Sequence, residues 1–293
     1  MKDILVLYHG GKCAEGFGAA YAAWVKFKDS ADYIAVNYGE EPPDVTNKEV
    51  YIVDFSYPLQ TLVDMKYKSK SIFVIDHHES AVDNLLKKKE VVGLICDQLK
   101  AETHNRNIDY IKRDVWLNME QSGCCMAWDY FHPGIPAPYG LLLIQDRDLW
   151  LFKDNNTKAF NAALRAFIKF DFFKWHEIMS SNTLTLDLIE RGEDVLTVFD
   201  KDIADLSAKA YRYTLNGIEC LACNAPAKYA SELGNVLAKK SNYGIIYSFD
   251  GQRKEWQYSL RSIGDFSVKD IAVLFGGGGH KNAAGFSTKE LIL

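Results

Sequence analysis

Short apolar runs that stop abruptly at acids and imidazoles set the pattern of the N-terminal half. Ile4-Leu5-Val6-Leu7-Tyr8 ends at His9, Val50-Tyr51-Ile52-Val53 ends at Asp54, and Ile72-Phe73-Val74-Ile75 ends at Asp76-His77-His78. Unbroken apolar runs of this length, rich in β-branched and aromatic residues, read as strands buried on both faces, as in parallel sheets. Residues 33–37 read as a further strand. The Ala-rich stretch 17–27 and residues 58–68 have the apolar spacing of helices. Strand and helix in alternation predict a parallel sheet with right-handed crossovers. Ligands of such sheets sit just outside the carboxyl ends of the strands. Three polar strand ends therefore face one edge.

The pattern then changes. Residues 91–96 read as a strand and 97–119 as a polar stretch of weak periodicity, an insertion or a lid. Ser122 opens a helix through Phe131, and Pro133, Pro136 and Pro138 punctuate the turn after it. Residues 139–144 lead into Gln145-Asp146-Arg147-Asp148-Leu149-Trp150. Residues 158–209 are helical in pattern, with a long amphipathic run over 184–210. Beyond it, strands at 211–215, 217–223, 244–249 and 255–262 alternate with helices at 229–240 and 268–274. The chain closes on Phe275 and four glycines before His280. The expected architecture is α/β: a parallel-sheet domain over 1–184, a helical connector over 185–210 and a smaller α/β domain over 211–293.

A chain of 293 residues, 48% hydrophobic and 25% charged, has ample core for two domains. A net charge of −5 argues against coating long duplex nucleic acid through a basic surface. No apolar run reaches the ~18 to 20 residues that span a bilayer, so no membrane association is expected. The N-terminus enters a strand without a signal-peptide core. Six scattered cysteines form no disulfide framework, and the expected compartment is the reducing cytoplasm. Cys220 and Cys223 lie in a strand-like run without a second Cys/His pair at zinc spacing, which favours core packing. Lys87-Lys88-Lys89-Glu90 reads as a solvated helix end.

The candidate ligands are His9, Cys13, Glu15, Asp54, His77 and Asp146, with Asp148 as a supporting acid. Imidazole with several carboxylates suits Mn²⁺-like ions. So many acids without a cation would repel one another and resist desolvation. Two cations ~3.5 to 4 Å apart relieve this, activate a bridging water and clamp both oxygens of an in-line phosphoryl displacement. The four glycines before His280 let backbone amides approach a phosphate.

His9 with positions 13 and 15, then Asp54, the Asp76-His77-His78 triplet and the terminal Gly-Gly-Gly-Gly-His280 together resemble the DHH/DHHA1 phosphoesterase family over essentially the whole chain. The resemblance implies one metal on His9, Cys13 and Asp54, and a second on Glu15, the shared Asp54, His77 and Asp146. It places His78 before the scissile phosphate, with Asp76 beside it in the catalytic triplet. Arg261, Gly277, Gly278, Gly279 and His280 would bind substrate phosphates from the second domain. The implied substrate is a small phosphorylated molecule, foremost a short single-stranded oligonucleotide or nucleotide, with cyclic dinucleotides, pyrophosphate and polyphosphate as alternatives. A homodimer is left open. Cys13 and Glu15 stand where the family carries Asp. A thiolate there admits Zn²⁺, Co²⁺ or Fe²⁺ beside Mn²⁺, and it leaves room for a rival reading, a nucleotide-binding sensor with a weakened metal site.

Overall fold

The computed structural model describes residues 2–10, 13–79, 81, 85 and 114–293. The readings for 87–90, 91–96 and most of 97–119 fall outside them, as do Gly11 and Lys12. By internal contacts the chain forms two units, Met1–Leu196 and Thr197–Leu293. The division falls inside one long helix, Asn182–Ala208. Leu188 and Ile189 belong to the core of the first unit and Ile203 to that of the second. The predicted connector is thus shared between the two.

In the first unit, β1 (Ile4–His9), β2 (Ala31–Val36), β3 (Glu49–Val53), β4 (Ser71–Asp76) and β5 (Val115–Leu117) form one sheet in the order β2-β1-β3-β4-β5. All four pairings are parallel. Alternate residues of each strand feed different cores: Val6 faces one side, Leu5 and Leu7 the other. All three are at most 1% exposed, each such burial being worth about 1.5–3 kcal/mol. On one side lie α1 (Ala14–Phe27), α3 (Gly123–Phe131), α4 (Tyr139–Asp148), α5 (Thr157–Phe167) and α6 (Phe172–Met179); on the other lies α2 (Leu59–Lys68). Helix α1 is buried without interruption from Gly16 to Trp24 because it runs between the sheet and α3.

The chain reverses its direction of travel across the sheet between β2 and β3. Strands β1 and β3 therefore lie side by side at the topological switch point, where a crevice opens at the carboxyl ends. His9 ends β1, Asp54 follows β3, and Asp76 ends the next strand.

The second unit begins in the last turns of α7, the long helix. Its sheet holds β6 (Tyr211–Leu215), β7 (Ile218–Asn224), β8 (Gly244–Asp250), β9 (Glu255–Arg261), β10 (Gly278–His280) and β11 (Ala283–Thr288) in the order β10-β11-β9-β8-β7-β6. Only β7 and β8 pair in parallel. Helix α8 (Ala230–Ala238) packs on one face and α9 (Val268–Leu274) on the other. Cys220 and Cys223 point into different cores, so they cannot chelate one ion together. Phe286 stacks between Tyr258 and Phe275 inside the unit.

Candidate metal centre

Backbone geometry brings the strand ends together. A side chain at Gly16 would collide with the His9 carbonyl, so glycine lets α1 start hard against the end of β1. Cys13 caps that helix, its sulfur receiving the Gly16 N–H at 3.5 Å. Asp54 takes the left-handed conformation, φ 54°, which side-chain-bearing residues hold chiefly at functional sites. Its N–H donates to the Ile75 carbonyl at 2.9 Å, and its carboxylate lies over the start of α3, where a Cβ at Gly123 would overlap it.

The Asp54 carboxylate, 1% exposed, divides its two oxygens. Oδ2 lies 3.8 Å from His9 Nδ1 and 4.0 Å from Cys13 Sγ. Oδ1 lies 3.2 Å from His77 Nε2, which is in turn 3.4 Å from Asp148 Oδ2. Donor atoms of His9, Cys13 and Asp54 all fall within 4.8 Å of one another, as do those of Asp54, His77 and His78.

Charge in this cluster is unbalanced. Burial lowers the His77 pKa, yet Asp54, Asp148 and Asp76 outweigh it and raise the imidazole to about 9. Burial lifts Asp148 to about 7, with Glu15 and Asp54 adding to the rise and His77 opposing it. Burial, then Glu15 and Asp54, push the Cys13 thiol up. Burial lowers His9 despite Asp54, which suits a neutral ligand. Asp54 Oδ1, Asp148 Oδ2 and His77 Nε2 are buried without a well-formed hydrogen bond. Buried polar atoms are normally satisfied. Oxygen and nitrogen donors left in this state fit a divalent cation, which takes deprotonated ligands in place of protons.

Several expected residues lie elsewhere. Asp146 does not face the cluster: its carboxylate accepts the N–H groups of Lys153 (3.0 Å) and Asp154 (3.2 Å) and the Thr157 hydroxyl. It thereby fixes the turn in which Trp150 and Phe152 take positive φ. Asp148, at the last turn of α4, stands in the place expected for Asp146. Glu15 approaches the Cys13 sulfur (3.0 Å) and Arg147 (4.0 Å) and is absent from both groups of candidate ligands. Asp76 is fully buried, and its Oδ1 accepts the N–H groups of His77 and His78 and the His78 Nδ1–H at 2.7 Å. Asp76 thereby holds the His78 ring in place.

Arg261 and the glycine motif belong to the second unit. The Arg261 guanidinium donates to the Leu260 carbonyl (2.9 Å) and the Ser231 hydroxyl (3.2 Å), and His280 is exposed on β10. Two contributors went unread in the sequence. Gly123 is one; a glycine directly after the Ser122 cap was its only signal. The other is Tyr38, 52% exposed, its ring 5.5 Å from His9 and 6.3 Å from His78.

Fold and site together define a class: an α/β protein with two groups of candidate metal ligands at the switch point of a parallel sheet, followed in the chain by a mixed-sheet unit. The DHHA1 domain model matches residues 220–292. Uncharacterized protein R106 of Acanthamoeba polyphaga mimivirus is 31% identical over 308 residues, covering 97% of this chain and 67% of that protein. Exonuclease RecJ bound to manganese shares the fold with a TM-score of 0.50 at 13% identity, over 97% of this chain and 85% of that one. An exopolyphosphatase-related protein from Bacteroides fragilis aligns with a TM-score of 0.47 at 14% identity, over 99% and 88%. The chain carries a DHHA1 domain, belongs to one family with protein R106, and shares the fold of exonuclease RecJ over nearly its whole length.

Proposed function

We propose that the protein is a divalent-metal phosphohydrolase that cleaves a phosphodiester in a short oligonucleotide or nucleotide. The observation that carries this reading is the buried Asp54 carboxylate, whose two oxygens meet two different donor sets. His9, Cys13 and Asp54 would hold one cation; Asp54, His77 and Asp148 would hold the other. Manganese is the ion of choice for such donors, with zinc, cobalt and iron admitted by the sulfur. Cations bound there would supply charge neutralisation for the phosphate and activation of an attacking water near neutral pH.

The chain's own groups complete the chemistry. Because the Asp76 carboxylate only accepts, the His78 Nδ1 must carry the proton in their 2.7 Å bond. Burial lowers the His78 pKa, but the Asp76 bond and charge raise it above the ordinary imidazole value. His78 thus presents Nε2–H to an anionic phosphate oxygen and is suited to protonate a leaving alkoxide. Arg261, His280 and the backbone of Gly277, Gly278 and Gly279 are proposed to hold further substrate phosphates. A reducing cytoplasm is part of the proposal, since Cys13 serves as a thiol. No helix among the described residues is long and apolar enough to cross a membrane.

One observation favours the sensor reading. Glu15 is engaged by Arg147 and Cys13, which leaves the second donor set without a carboxylate from the β1–α1 turn. Hydrolysis assays with Mn²⁺ on di- to pentanucleotides, cyclic dinucleotides, 3′,5′-bisphosphonucleoside, pyrophosphate and polyphosphate separate the two. Turnover of short oligonucleotides is expected. Tight binding of one member with turnover of none would establish the sensor.

A further inference from the structure

Strand β2, beside β1 at the edge of the first sheet, ends at Val36, which stands level with His9. The chain then turns through Asn37, Tyr38, Gly39 and Glu40. The Glu40 N–H donates to the Asn37 carbonyl at 3.1 Å. In return the Glu40 carboxylate accepts the Asn37 N–H at 2.8 Å and the Asn37 side-chain amide at 2.9 Å. Gly39 has φ 86°, and a Cβ on it would meet nothing within 4 Å. Glycine is there for its backbone conformation, the one a type II turn requires at its third residue. Tyr38 is thus carried on a turn tied together at both ends.

The turn sets the Tyr38 ring against Phe55, 4.7 Å away at 44°, with His9 at 5.5 Å and His78 at 6.3 Å, both near T-shaped. Phe55 is 1% exposed and Tyr38 is 52% exposed. Covering Phe55 takes only an apolar side chain. A half-exposed aromatic ring adds a flat surface beside the imidazole that is proposed to meet the scissile phosphate. That surface is not built for a second phosphate. Glu40 is the one charged residue of the turn, and its carboxylate repels an anion. A neutral planar group linked to the scissile phosphate through a sugar suits it, since nucleic-acid bases stack on aromatic rings. The preformed turn spares the cost of ordering the ring on binding.

We propose that Tyr38 sets the substrate class, by stacking on the base of a nucleoside esterified to the scissile phosphate. The proposal rests on the phosphohydrolase reading above for where that phosphate lies. It goes further in naming the side chain of the first unit that selects nucleoside esters over inorganic polyphosphates.

The test compares 5′-phosphorylated dithymidylate with two analogues, each carrying an abasic tetrahydrofuran residue in place of one thymidine, on the full-length protein with Mn²⁺. The kcat/KM of dithymidylate is expected to exceed that of at least one analogue by about tenfold, as stacking predicts. Tyr38→Phe keeps the ring and should preserve that ratio. Tyr38→Leu still covers Phe55 and should bring the ratio within about threefold, with thermal unfolding confirming the fold. Equal turnover of all three compounds by the unaltered protein overturns the proposal. So does a ratio untouched by Tyr38→Leu, or an equal loss on every compound, which marks a structural role. If none is hydrolysed, calorimetric binding of the same three compounds becomes the readout. A binding preference that Tyr38→Leu abolishes then upholds the stacking and defeats the phosphohydrolase, and binding without preference defeats both. Hydrolysis without base preference defeats the stacking alone.

Discussion

Gly123 and Asp54 are fitted to each other: a Cβ at position 123 would overlap the Asp54 carboxylate that both donor sets share. Helix α3 can begin beneath that carboxylate only while its first residue lacks a side chain. Gly123→Ala should push Asp54 aside, lower stability by about 1–3 kcal/mol as overpacking does, and reduce bound metal. Thermal unfolding together with metal analysis by plasma mass spectrometry checks both. A variant with undiminished metal content would show that the close approach is packing alone.

Replacing the shared ligand should affect both cations at once. Asp54→Asn removes a charged oxygen from each donor set, so metal content and turnover are expected to fall together, turnover by at least about a hundredfold, or some 2.7 kcal/mol of barrier. Two metals per chain with near-normal turnover would contradict the bridge.

Asp146 and Asp148 should fail in different ways. Asp148→Asn is expected to weaken metal binding without lowering the stability of the metal-free protein, since burial there already favours the uncharged form. Asp146→Asn should cost about 1.5–3 kcal/mol of folding stability, because a charged acceptor of three hydrogen bonds is lost. Denaturant unfolding in EDTA and calorimetric Mn²⁺ titration separate the two. The opposite pattern would return the ligand role to Asp146.

Proton binding at the centre predicts a pH dependence. In the metal-free protein Asp148 is raised from 3.8 to about 7 and His77 from 6.5 to about 9. Between those limits the folded site binds more protons than the unfolded chain, so its contribution falls as pH rises. The contribution is full below 3.8 for Asp148 and below 6.5 for His77, and it is lost as pH passes about 7 and about 9. A divalent cation replaces those protons. The rise in Tm produced by Mn²⁺ over EDTA should therefore grow across this interval. A Tm gain that shrinks with pH would overturn the assignment.

The Cys13-Glu15 turn distinguishes enzyme from sensor. Its geometry, with Glu15 set between the Cys13 sulfur and Arg147, is adapted to the residues present. Cys13→Asp with Glu15→Asp is expected to lower phosphodiesterase activity. A clear gain from a negligible baseline would identify a decayed site.

Much of this was legible in the sequence because it is local. Buried parallel strands announce themselves as continuous apolar runs, and their ends as the first polar residue, so His9, Asp54 and the Asp76-His77-His78 triplet could be placed on one edge of a sheet before any coordinates. The first four strands and both helices of the second unit, and the core role of Cys220 and Cys223, followed from the same periodicities. The glycine-rich strand β10, its neighbour β11 and the mixed pairing of the sheet emerged only from the structure. Which carboxylate enters the site was decided only by the tertiary structure. Asp146 and Asp148 lie two residues apart on one helix, about 200° around its axis, so one turns inward as the other turns away. The inward face is chosen by how α4 packs, a long-range fact. Likewise the direction of Glu15 depends on Arg147, from a helix more than a hundred residues later in the chain, and the room for Asp54 depends on Gly123. Spacing along the chain names the donors; packing between distant elements decides which of their atoms meet.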